Sequence, residues 1–498
     1  MDGPRGMAHN ANPRPLAGLF SKHPRLSGLA ISAVVFLSLA AAFDHAVVEG
    51  PGDRGKLHLA VTTALLSGRP SPVTQRPPLY GAILAVIARA AGVSPREQRL
   101  DAREYGNAQS FPVALGLYSR NFLRLVLWFQ LLLLIGTGWL VAFTLRFAGV
   151  GPAGILLALA VLALIAPEAP VNVLFDSLLT AFLLALGFCA WIAWLVSGQR
   201  TGALLLAAIA WSLAALSHAV FQLLPLFLMV LLYIPVSRRL GGRQGRRMAF
   251  TILLFWLVMV GGMSAYNLKR HQFFGLSSVM GSGLGTKTWP FIERAAPSYP
   301  DLTPVFLAMR DELLIKYYEH TGVYWGDSAC QWLMRERGMS YVSANKFLLR
   351  FNLNAIRHGN EVYPPEVLQS LVLFMLPAFP YQIPGPLRIA DYLAKALVFL
   401  VFAGGCAYRI LGWAMGRGRK LLSPAQPASE LVLAAAIAIF IYAALVVCAA
   451  DMGKPGQRAP VLFIIPVVLP LILSQRKRKI RNRTRIPTPT AAEFTVEK

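Results

Sequence analysis

Four acids sit where the chain leaves its apolar runs. Asp44 and Glu49 follow the first run, Asp53 lies just beyond them in EGPGDRGKLHLAVTTALLSGRP, and Asp176 is embedded in APVNVLFDSLLTAF. Ionisable groups in or beside a membrane are costly and often functional. An acid just outside a span is otherwise merely solvated, a bland reading that suits Asp44 and Glu49 better than Asp176, three residues inside an apolar run. Asp53, Asp176 and water could hold a divalent metal, although no DxD or HxxxH signature is present. Arg76 opens the run RPPLY, ahead of Pro77, Pro78, Leu79 and Tyr80. Two prolines fix an extended entry to a helix and hold the guanidinium rigidly at the surface. The bland alternative is a helix start and nothing more. Lys269 and Arg270 lie just past an apolar run, where interfacial anchoring competes with function, and His218 is a lone histidine at the end of another.

The elements that must position these residues are membrane spans. Of 498 residues, 56% are hydrophobic and only 14% charged, with a mean hydropathy of +0.53. Soluble proteins are about 25% charged. This composition excludes a disordered chain, a nucleic-acid-binding domain and an ordinary cytosolic enzyme. Runs of about 20 apolar residues recur, as multi-pass helical membrane proteins require. The expected spans are 29–47, 125–145, 151–167, 173–196, 202–217, 219–236, 249–266, 389–410, 429–449 and 459–475.

The net charge of +25, from 48 Lys and Arg against 23 Asp and Glu, reads as an excess of cations in cytoplasmic loops. The dense clusters sit at span ends: Arg238, Arg239, Arg243, Arg246 and Arg247; Arg417, Arg419 and Lys420; and the tail from Arg476 to Arg485. Residues 366–378 are apolar but short and bracketed by prolines, which fits an interfacial or re-entrant segment. Leaving them out of the count puts every basic cluster and both termini inside.

The domain plan is then a cytoplasmic tail 1–28, a transmembrane module 29–266 with an external loop 48–120, an external subdomain 267–388, closing spans within 389–475, and a basic tail 476–498. In the first loop, 57–67 and 79–91 read as amphipathic helices on the membrane surface. Residues 96–111 (REQRLDAREYGNAQSF) look like an insertion with no assignable role. Cys189, Cys330, Cys406 and Cys448 form no CxxC or Cys/His cluster, so neither a zinc ribbon nor a disulfide framework is supported. The first apolar run lacks a convincing cleavage site and reads as an uncleaved span. GSGLG (281–285) has no preceding strand and no following GK[ST], so it is not a phosphate loop. The loop aromatics Trp289, Tyr317, Tyr318, Tyr324, Trp325 and Trp332 could stack on sugars or pack the subdomain.

Several of these stretches together carry a family likeness. GDRGKLHLAVTTALLSGRP followed by RPPLY resembles the first external loop of GT-C glycosyltransferases. VNVLFDSLLTAF resembles the family's "tE.l" segment, with Asp176 in place of the usual Glu. AALSHAVFQLLPLFL resembles "lxRPxaxxLP", with His218 in place of Arg. SAYNLKRHQFFGLSSVMGSGLG and DMGKPGQRAPVLFIIPVVLPLIL resemble the start of the large external loop and the last loop. The order spans Asp53 to about Leu473, and the set is similar to the protein mannosyltransferase and lipid A aminoarabinose transferase type, as a divergent branch.

The resemblance implies an all-α polytopic, GT-C-like fold with about ten transmembrane helices. It implies an inner-membrane enzyme with its site facing the periplasm. There a single sugar would pass from a polyprenyl-phosphate donor to a hydroxyl on a lipid, glycan or protein acceptor. Asp53 would be the general base, with Asp44 and Asp176 as the other catalytic carboxylates. Lys269 and Arg270 would grip the phosphate, with Arg76 or Arg458 assisting. Tyr80 and His218 would contact substrate, and His218 could instead orient an acid. A divalent metal stays open, no other cofactor is implied, and nucleic acid is excluded as a partner. Rival readings are a lipid or sugar transporter or flippase, an envelope polymerase or ligase using a diphosphate-linked donor, and a non-catalytic scaffold. A transporter would usually show inverted repeats and broken helices, and no matched pair is evident.

Overall fold

The computed structural model describes residues 53–69, 76–94, 97–100, 111–166, 176–197, 200–317, 321–377, 385–417, 428–450 and 455–473. These residues fall within the compact unit that begins at Val47. The expected span 29–47, Asp44, Glu49, and both tails lie outside them.

The first described element is α1 (Asp53–Leu66), followed by α2 (Pro78–Ala90), which starts on Pro78 behind an extended Pro77. The two helices pack closely at Gly81. A Cβ on Gly81 of α2 would sit 2.6 Å from Val61 of α1, and Thr62 Oγ1 donates to the carbonyls of His58 (2.8 Å) and Gly81 (3.1 Å). Two four-residue strands follow, β1 (Glu97–Leu100) and β2 (Phe111–Ala114), paired antiparallel with Glu97 opposite Ala114. The Ala114 amide donates to Thr63 Oγ1 at 2.9 Å. These strands correct the all-α expectation for this stretch. They also correct the picture of α1 as a one-faced surface helix. Every residue from His58 to Ala64 is buried, because α2 covers one side and β2 another. Helix α2 keeps an open apolar edge, with Val86 67% exposed.

Among the described residues, six helices are long and apolar enough to cross a membrane: Arg120–Phe147 (α3), Ser177–Val196 (α5), Ala219–Leu240, Gly242–His271, Leu387–Met415 and Ala428–Ala450 (α16). The third contains α7 (Leu224–Leu240). The fourth runs from α8 (Gly242–Trp256) through a π turn, Leu257–Gly261, into α9 (Gly262–His271), and the fifth coincides with α15 (Gly385–Gly412). Helices α5 and α16 have 78% of their apolar windows buried inside the protein, against 17% for α15 and 28% for α8–α9. The first two are therefore the interior of the bundle, and the last two carry the outward apolar surface.

Three expected spans meet shorter helices: α4 (Pro152–Ile165), α6 (Thr201–Ser217) and α17 (Ile464–Leu473). Each falls short of the roughly 20 residues a perpendicular crossing needs. Helix α6 stops where His218 turns extended (φ −141°, ψ 118°). Helix α17 starts only after a 3₁₀ stretch, Pro455–Val461, containing Pro460. Close approach holds the interior together. A Cβ on Gly187 of α5 would strike the Trp211 ring of α6.

After α9 comes a helical subdomain: α10 (Met280–Thr288), a 3₁₀ segment Trp289–Ala295, α11 (Thr303–Tyr317), α12 (Thr321–Glu336) and α13 (Tyr341–His358). Its core is Phe291, Ile292, Phe306, Trp325, Leu333 and Phe351, all buried. GSGLG is the packing face of α10. A Cβ on Gly281 would strike the Asn345 carbonyl of α13, and one on Gly285 would strike Trp325 of α12. Of the loop aromatics, Trp325 is core, Trp332 packs edge-on against Phe306, and Tyr317 stacks on Tyr324 at 4.2 Å. Helix α14 (Tyr363–Met375) covers the stretch expected not to span, and its 13 residues reach about 20 Å.

Candidate functional site

The site is built where α1, α2, α5 and α6 meet. Asp176 occupies the residue before α5, at the positive end of that helix, where an anion is favoured. Its side chain makes no capping hydrogen bond. Thr180 Oγ1 instead donates to the Asp176 carbonyl (2.8 Å) and lies 3.0 Å from Ser217 Oγ. That contact ties the start of α5 to the end of α6 and brings in the next residue, His218. The backbone turns there, and His218 Nδ1 accepts from the Val220 amide at 3.4 Å. In the neutral ring, Nε2 then carries the proton.

His58 comes in from α1. It is fully buried, and its Nε2 lies 3.9 Å from Asp176 Oδ2. Tyr80 of α2 meets the His58 ring edge-on, 4.9 Å between centroids. Tyr80 is fully buried too, and its hydroxyl accepts from Gln130 Nε2 of α3 at 2.8 Å. Arg76, half-buried ahead of the two prolines, acts electrostatically on both His58 and Asp176, as does His218. Burial pushes the His58 imidazole down to about 4. Asp176 opposes that shift, and Arg76 and His218 add to it.

Among the described residues, both ring nitrogens of His58 and both carboxylate oxygens of Asp176 are buried without a hydrogen-bond partner. A buried polar group without a partner costs about 1–3 kcal/mol. Four such atoms on two neighbouring side chains, with Nε2 and Oδ2 facing each other, mark a place kept polar against the interest of stability. No group of three or more His, Cys, Asp or Glu side chains suited to a metal ion occurs among the described residues.

The structure thus gathers Asp176, Arg76, Tyr80 and His218 of the expected set, and adds His58. The other expected residues fall elsewhere. Asp53 is the first residue of α1, and only its backbone is described. Lys269 and Arg270 are exposed in the last turn of α9. Arg458 is fully buried, but its guanidinium donates to the carbonyls of Phe374 and Leu376 at the end of α14 and lies 4.1 Å above the Phe399 ring. That Nη1 closes a helix end, where orphan carbonyls need donors.

The cluster and the arginine-rich turn lie at opposite ends of one helix. His218 precedes α7, whose last turn carries Arg238 and Arg239, and 17 helical residues separate those ends by about 26 Å. Lys269 and Arg270 end the α8–α9 helix that starts just past the same basic turn.

No protein-family model matches the chain, and no curated protein does. Among solved structures, ArnT from Cupriavidus metallidurans aligns in two crystal structures. The one bound to undecaprenyl phosphate has 14% identity and a TM-score of 0.33, covering 92% of this chain and 79% of that chain. The apo form has 14% identity and a TM-score of 0.32, covering 92% and 78%. A likeness this distant decides nothing about fold or activity.

Proposed function

We propose that the protein is an integral membrane glycosyltransferase of the GT-C type. It moves a sugar from a polyprenyl-phosphate donor to an acceptor hydroxyl on the outer face of the inner membrane, through a bundle of about ten spans. The observation that supports this reading is the Asp176–His58–His218–Arg76–Tyr80 cluster, with Asp176, His58 and Tyr80 buried and Arg76 and His218 half-buried. It assembles residues from three motifs that resemble the family, at the helix ends opposite the arginine-rich turn. The chemistry asks little of the protein. A lipid phosphate leaves without protonation, so the site needs a cation for the developing charge and a group to take the hydroxyl proton. Arg76 is the cation, with Lys269 and Arg270 as outer-end cations for the incoming headgroup. Catalytic carboxylates are drawn from Asp176, Asp53 and Asp44.

The test is donor turnover by purified protein in nanodiscs. A panel of undecaprenyl-phosphate sugars labelled in mannose, glucose or aminoarabinose is offered with membrane extract as acceptor. The wild type is expected to consume at least one donor. An Asp→Asn change at one of Asp176, Asp53 and Asp44 is expected to slow it by about 10²–10⁴ while expression and folding stay intact. No turnover of any donor, or turnover indifferent to all three aspartates, would refute the reading and favour a transporter.

A further inference from the structure

We infer that His58 is the group that takes the proton from the acceptor hydroxyl, with Asp176 as its electrostatic partner. The inference rests on the glycosyltransferase reading and names the base within it. Three features of the pair carry it. Nε2 and Oδ2 are 3.9 Å apart, too far for a direct hydrogen bond. That separation leaves each able to contact one small polar group seated between them. Neither side chain has a hydrogen-bond partner among the described residues, although both are fully buried. The pair is also fixed from several directions. Tyr80 sets the plane of the imidazole, Thr62 pins the His58 backbone to α2, and Thr180 pins the Asp176 backbone to the end of α6. A side chain held this firmly with nothing to bind is pre-organised for a ligand.

The step balances as follows. In the resting site the His58 ring is neutral, with its proton on Nδ1 and Nε2 open. The acceptor hydroxyl donates to Nε2. As the acceptor oxygen bonds to the anomeric carbon, its O–H bond breaks and the proton passes to Nε2. The bond from anomeric carbon to phosphate oxygen breaks, and its electron pair leaves on the lipid phosphate. The new imidazolium faces the Asp176 carboxylate, and the new phosphate charge faces Arg76. Burial keeps the resting imidazole uncharged, so it is an acceptor throughout the neutral range. His58, Asp176, Arg76, His218 and Tyr80 are the titratable and charged groups that face one another here.

The experiment uses the full chain in nanodiscs with the undecaprenyl-phosphate sugar that the wild type consumes. His58→Gln keeps a neutral polar side chain but takes no proton. It is expected to lower kcat about 10²–10⁴-fold, leave the donor KM and the binding of undecaprenyl phosphate unchanged, and abolish the acid limb of the pH–rate profile. His58→Gly is expected to regain turnover when free imidazole is added, which a merely structural role would not produce. Wild-type turnover in His58→Gln alongside a dead Asp53→Asn would overturn the inference and leave the glycosyltransferase reading standing. Activity abolished by EDTA and restored by Mn²⁺ or Mg²⁺ would also overturn it, by making the pair cation ligands. If His58→Gln does not fold, the imidazole response of His58→Gly decides. A wild type that turns over no donor removes both the reading and the inference.

Discussion

Acid sensitivity isolates His58 from the rest of the protein without any substrate. The ring is fully buried, and burial holds its pKa at about 4, against 6.5 for a free side chain. Between those values the unfolded chain binds a proton that the folded chain does not. Stability therefore rises with pH across this window. The neutral histidine's share is fully present above pH 6.5, is lost progressively as pH falls, and is gone below about pH 4. Each unit of the difference corresponds to about 1.4 kcal/mol. Lowering the pH from 7.5 to 5 should therefore remove about 2 kcal/mol through this one group. His58→Gln has no such proton to take up. Thermal unfolding of both proteins in the same detergent at pH 7.5 and pH 5 measures the difference. The parent should lose a few degrees more of Tm on acidification than the variant does. Equal acid shifts in the two proteins would mean that His58 is charged or solvated in the folded state, and the neutral-acceptor argument would collapse with it.

Two further outcomes test the positioning elements. Gly81→Val pushes a side chain into Val61, so it should lower stability by about 1–3 kcal/mol, and Val61→Ala in the same chain should recover most of that; additive losses in the melting of the double variant would refute the close α1–α2 contact. Arg458→Met strands two carbonyls at the end of α14, the Phe374 one buried, so it should cost about 1–3 kcal/mol and speed amide exchange in 363–377; unchanged exchange there would show that the arginine does not hold this helix.

Much of the bundle is legible because a bilayer imposes a length on its spans. Runs of about 20 apolar residues could become little else, and six of the ten expected spans coincide with helices of sufficient length. Helix α14 carries Pro364 and Pro365 in its first turn, where proline is tolerated. What stayed hidden depends on neighbours distant in sequence. Seven consecutive buried residues in α1 cannot be inferred from LHLAVTTA alone, because α2 and β2 supply the cover. The strands within REQRLDAREYGNAQSF and beyond it carry no clean alternation. GSGLG excluded a nucleotide by context, yet only the backbones of α12 and α13 reveal why glycines are needed.

The candidate site shows the same division more sharply. Asp176 stands out because the bland reading of a solvated acid suits a charge inside an apolar run less well, and Arg76 because two prolines hold it. His58 did not, since one histidine on a short helix is ordinary. A signal was present all the same: His58 and Thr62 are four apart on α1 and share a face, a polar stripe on a helix otherwise fit to be buried. The meaning of that stripe depends on the α5–α6 junction, where Thr180 and Ser217 bring Asp176 and His218 together. Local rules of sequence and fold agree along most of this chain. They part at the His58–Asp176 pair, where two buried side chains face each other without hydrogen-bond partners among the described residues, and such points are where proteins keep their chemistry.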